Sequence, residues 1–98
     1  MRHFFRTHLT PAAVIQAADA FFPALQLAAS GAASPRRRTF GGSLGSLTLS
    51  AKPEGGHYTF VEVHTDQMGE SRLDRNVKSF FVTLHRQADP AHKLDAAY

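Results

Sequence analysis

The 98-residue chain contains no cysteine and no tryptophan. Without cysteine there is no disulfide framework and no thiolate zinc site, and an intracellular setting is the default expectation. Without tryptophan, and with eight Phe and two Tyr as the whole aromatic complement, the core is expected to be built from Phe, Leu and Val. Long hydrophobic runs are missing too: no apolar stretch reaches the roughly 18 residues that a membrane span requires. The basic start "MRHFFRTH", the apolar segment at 9–29 and the small residues after it outline a signal peptide, but Gln16, Asp19, Pro23 and Gln26 interrupt the apolar segment. A soluble cytoplasmic protein without membrane association is expected.

Motifs that carry chemistry are equally scarce. The six histidines, at positions 3, 8, 57, 64, 85 and 92, make no HxH, HxxxH or HExxH spacing, so no metal site and no cofactor is expected. "GGSLGS" at 41–46 lacks the Lys-Ser/Thr of a P-loop and is not a GxGxxG fingerprint. "DQMGESRLD" at 66–74 holds Asp66, Glu70 and Asp74 without the ligand spacing of a calcium loop. No nucleophile-elbow signature accompanies any serine, and no catalytic residue is assigned.

What is present is a foldable, mildly basic chain. Hydrophobic residues make up 43% and charged residues 19%, a globular balance, and the length suits one domain over residues 1–98. Eleven Lys/Arg against eight Asp/Glu leave a net charge of +3, which permits contact with nucleic acid without requiring it. Residues 2–9 alternate well enough for a first strand. Thr10-Pro11 is a helix start, because the hydroxyl can accept from exposed backbone N–H groups and Pro at the first position loses no needed donor. Val14, Ala18, Phe21 and Leu25 then form one apolar stripe, and Pro23 should end or kink the helix near Phe22. Residues 28–38, small-residue-rich without periodicity, read as a flexible linker.

A strand is expected over 43–52, with Leu47, Leu49 and Ala51 on one face, and the glycines before it suggest a bulge or close backbone approach. "KPEGG" is a turn, so that "HYTFVEVHTD" returns as the second arm of a hairpin. Ser71 and Asp74 fit a capping box for a helix from Arg72, whose stripe is Leu73, Val77, Phe80, Phe81 and Leu84. Residues 88–98 read as a tail. The sum is an α+β two-layer sandwich in β-α-β-β-α order, a three-stranded mixed sheet with two helices on one face. Strand order 2-3-1 places the last strand centrally and leaves two open edges, which favours a homodimer.

Two registers are open to the hairpin. An even-length turn puts Tyr58 and Phe60 in the core, whereas an odd one gives Val61 and Val63 to the helices and turns Tyr58, Phe60, Glu62 and His64 outward. The second makes the more consistent core, and those four residues are then candidates for a dimer surface or a ligand platform. Arg36, Arg37 and Arg38, with Arg75 and Lys78 on the last helix, are the candidate nucleic-acid contacts, although three adjacent cations more often form a solvated loop end.

The strand leading into "TPAAVIQAADAFF", followed by strands and a closing helix "SRLDRNVKSFFVTL", resembles the START/Bet v 1-like (helix-grip) superfamily that includes polyketide cyclase-like proteins. The resemblance implies a sheet gripping a helix around an apolar ligand cavity, and possible cyclase-like activity. Members carry six or seven strands where this sequence shows three, and no family residue matches by motif. The expected function is a small non-enzymatic binding or assembly module, with a small apolar ligand held in a helix–sheet groove or a dimer interface. A nucleic-acid-binding module and a minimal helix-grip enzyme are the alternatives.

Overall fold

The computed structural model describes residues 1–69 and 71–88. The elements run β1 (Arg2–Thr7), α1 (Pro11–Phe21), a 3-10 turn (Pro23–Leu25), β2 (Ala28–Ser34), β3 (Arg37–Gly42), β4 (Gly45–Glu54), β5 (Tyr58–Thr65) and α2 (Arg72–Ala88). The class is α+β, but the sheet has five strands rather than three. Every neighbouring pair is antiparallel, in the order β1-β5-β4-β3-β2, so the expected three-stranded mixed sheet is overturned.

Of the two additional strands, β2 lies within the segment expected to be a linker, and β3 runs from its last two residues into the stretch before the expected strand. Ala28, Ala29 and Ser30 pair with Gly41, Phe40 and Thr39, and Ser34 pairs with Arg37 across an irregularity. An edge strand is held by backbone hydrogen bonds along one side and need bury little, so "AASGAAS" folds as a strand without any hydrophobic alternation. The tail, from residue 89 onward, lies outside the described residues.

Local signals explain the helices. Thr10 accepts a hydrogen bond from the Ala13 N–H at 3.1 Å, and Pro11 opens α1. Pro23 stops the α-helical ladder and begins the 3-10 turn, which ends with Gln26 in the left-handed region at φ 64°. At the other helix the Asp74 N–H donates to Ser71 Oγ at 3.1 Å, as a capping serine should receive it. Both helices pack on one face of the sheet. Phe22 from the end of α1 lies 5.2 Å from Phe40 of β3 and 5.0 Å from Phe80 of α2, centroid to centroid, in one core with Leu47, Leu49, Val61 and Val63.

The hairpin between β4 and β5 has an odd turn. Pro53 and Glu54 still pair, with Thr59 and Tyr58, and residues 55–57 make the connection. Gly55 and Gly56 hold φ of 65° and 80°, which β-branched or bulky residues would resist. Leu49 therefore faces Val63 and Ala51 faces Val61 on the helix side. Gly42, before β4, serves packing, since a Cβ there would lie 2.7 Å from the Gln26 carbonyl oxygen.

Candidate binding face

Two layers leave the other side of the sheet without a helix among the described residues. Side chains there follow from strand alternation: Arg2, Phe4 and Arg6 on β1, Tyr58, Phe60, Glu62 and His64 on β5, Ser46 to Glu54 at every second position of β4, and Arg37 and Thr39 on β3. Phe4 and Tyr58 are 48% and 46% exposed, high values for rings in strands. Phe4 and Phe60 meet diagonally across β1 and β5, centroids 5.5 Å apart, and the His8 ring lies 4.7 Å from Tyr58.

Charges frame these rings. The Arg2 guanidinium lies 4.7 Å from the Phe4 centroid and pairs with Glu62 at 2.9 Å. Arg6 lies 4.9 Å from the Phe60 centroid and reaches Glu54 at 2.6 Å. Lys52 approaches Phe60 from the other neighbouring strand, 5.7 Å from the centroid. Cations attracted to ring faces keep their heads in solvent and hold the aromatic surface open at its margins. His64 and Glu62 are 3.4 Å apart, and the side chains are 54% and 23% exposed. They form a pair at the surface of the outer face, with the His64 side chain more than half open to solvent.

The basic residues proposed from sequence are not brought together. Arg36 sits in the turn between β2 and β3, and Arg37 joins the outer face opposite Ser50. Arg38 points to the helix side, where it pairs with Asp19 of α1 at 3.1 Å and donates to the Ser34 and Arg37 carbonyls. Arg75 and Lys78 lie on α2, across the sheet from Arg37. Strand alternation splits three adjacent arginines, a separation invisible while 28–38 reads as a loop. Arg2, Arg6 and Lys52 are the cations that sequence inspection missed; the i, i+2 alternation of Arg2, Phe4 and Arg6 is the signal that could have found them.

A second polar cluster lies inside the protein. Asp74, fully buried, accepts from His3 Nε2 at 2.7 Å and from Thr65 Oγ1 at 2.8 Å on one oxygen, and from Ser71 Oγ at 2.7 Å on the other. Burial by itself would raise the Asp74 pKa. The hydrogen bonds from His3, Ser71 and Thr65, with the Coulombic effect of His3, outweigh it and hold the carboxyl well below the usual carboxylate range. Although serine, histidine and aspartate meet, the aspartate is in the middle and the serine does not touch the imidazole, so no base activates the hydroxyl. The cluster ties β1, β5 and α2 together.

Asp66, at the surface, accepts from Gln67 Nε2 at 2.7 Å and from the Ser46 N–H at 3.1 Å, which lowers its pKa and fastens the end of β5 to the start of β4. Among the described residues no group of three or more His, Asp or Glu is placed to hold a metal ion. No described helix is long and apolar enough to cross a membrane. The sequence matches no family model, and no curated protein matches it.

Proposed function

We propose that this chain is a non-enzymatic binding module whose working surface is the outer face of its sheet. The observation that carries the proposal is the asymmetry of the two sheet faces. One is sealed by helices, and the other holds Phe4, Phe60 and Tyr58 within a frame of Arg2, Arg6, Lys52, Glu54 and Glu62. A half-exposed Phe stabilises the fold little, so its place in a strand is better accounted for by a partner than by packing.

Phe4→Thr keeps a good strand former and removes the ring. Its unfolding free energy should stay within roughly 0.5 kcal/mol of the parent, as for other surface changes, while binding at the face weakens. Urea denaturation measures the first quantity. Destabilisation on the scale of a buried Phe truncation, about 3–5 kcal/mol, would make the ring structural and defeat the proposal.

The second proposal is a minimal helix-grip carrier or cyclase-like enzyme. The element order favours it: a strand, a helix, a run of antiparallel strands and a closing amphipathic helix. It needs an apolar chamber between helices and sheet, where Phe22, Phe40 and Phe80 now pack. An apolar ligand that shifts the NMR signals of these three rings, leaving Phe4 and Tyr58 unmoved, would establish it over the outer-face module.

A further inference from the structure

The geometry points to single-stranded nucleic acid as the occupant of the outer sheet face. The inference rests on that face being the working surface. It follows from what the face offers and what it lacks. It presents four cations, Arg2, Arg6, Arg37 and Lys52, against two carboxylates, Glu54 and Glu62. Both carboxylates are already engaged, by Arg2 and Arg6. Arg37 and Lys52 have no ion-pair partner among the described residues, so the face carries a surplus of positive charge and calls for an anion.

A second copy of the chain fits less well. Two such faces set against each other would bring the surplus cations together with no carboxylate left to meet them. Phe4 and Tyr58, each about half exposed, supply roughly 200 Å² of apolar surface between them. A standard interface takes about 800 Å² from each partner. Beside the rings the face is Ser, Thr and charge, which hydrates well.

A single strand matches each feature. Unpaired bases stack on aromatic rings and on guanidinium planes whatever their sequence, and phosphates between them meet Lys and Arg. Phe4 and Phe60 are adjacent, each with a guanidinium about 5 Å from its ring centroid. They make a two-position stacking platform on β1 and β5, flanked by Lys52 on β4 and Arg37 on β3. A duplex hides its base faces and could use only the cations, so single strands should bind more tightly than the same sequence paired.

The test uses the full chain and fluorescently labelled oligo-dT and oligo-U of about 12 nucleotides, read by anisotropy from about 50 to 200 mM salt. Binding in the micromolar range at the lower salt is expected for both. Phe4→Thr should weaken binding about five- to hundredfold, the worth of one stacked base. Lys52→Ala and Arg37→Ala should each reduce the slope of log affinity against log salt by about 0.7. Lys78→Ala on α2 should leave the slope unchanged. No anisotropy change up to about 100 µM protein would overturn the inference. So would equal losses from Lys78→Ala and Lys52→Ala, which mark binding by net charge alone. Sedimentation showing a dimer that Phe4→Thr dissociates would overturn it too, while leaving the outer face as the working surface. Failure of all binding together with a destabilised Phe4→Thr would remove both proposals.

Discussion

Asp74 is the residue on which local and tertiary demands converge. Its backbone sits in the first turn of α2, its N–H meets Ser71, and its carboxylate is spent on His3 of β1 and Thr65 of β5. Asp74→Ala leaves these buried partners unmatched and should cost about 3–5 kcal/mol, as for breaking a buried pair. Asp74→Asn keeps an acceptor for His3 and Thr65 and loses the charge, so it should cost less. Because the folded carboxyl binds its proton at lower pH than the unfolded one, whose ordinary value is 3.8, its stabilisation is complete above that pH and declines as pH falls below it. Chemical denaturation from pH 6 to pH 2 should show this decline in the parent and a shallower one in Asp74→Asn. The capping role of Ser71 and Asp74 was legible in the spacing, but the burial of Asp74 was not. His3 stands 71 positions away, and only the pairing of β1 with β5 brings it there.

Among the elements, β2 and β5 are opposites. β5 is bonded on both sides and contributes Val61 and Val63 to the core. β2 is bonded on one side, and Ala28, Ala29, Ser30 and Gly31 are exposed. Amides of β2 should exchange with solvent orders of magnitude faster than those of β5, because local opening of an edge exposes little apolar surface. Hydrogen exchange followed by NMR measures it, and equal protection of the two strands would refute the contrast. The same property hid β2 from sequence inspection. Strand signals come from side chains that a sheet must bury, and the exposed Ala28, Ala29 and Ser30 emit none. α2 is the reverse case: of its expected stripe Leu73, Val77, Phe80 and Leu84 are buried in the core, and Phe81 packs against it half-buried.

At the scale of the molecule, one core joins both helices to the inner face of the sheet. Phe80 touches Phe21 and Phe22 from the α1 segment, and Phe22 in turn touches Phe40 of β3. Phe80→Ala should therefore remove about 3–5 kcal/mol. Against the 5–15 kcal/mol that holds a typical domain, this brings the whole chain near unfolding in one transition. Calorimetry should show a single, lowered peak; two separated peaks would mean that the halves of the sheet are independent. The asymmetry of the sheet also belongs to this scale. With both helices on one side, every second residue of β1 and β5 is placed outward, and surface rings and cations from distant parts of the chain become neighbours.

The sequence by itself determined the class, both helices with their caps, the central β4–β5 hairpin and the exclusion of familiar catalytic motifs. Those features depend on residues near one another in the chain, through periodicity, capping and turn chemistry. The tertiary structure decided the number of strands, the buried His3–Asp74 contact, the separation of Arg37 from Arg38 and the meeting of Phe4 with Phe60. Each of these depends on which backbone pairs with which. Pairing is set by the common burial of the inner face, and no single segment carries that information.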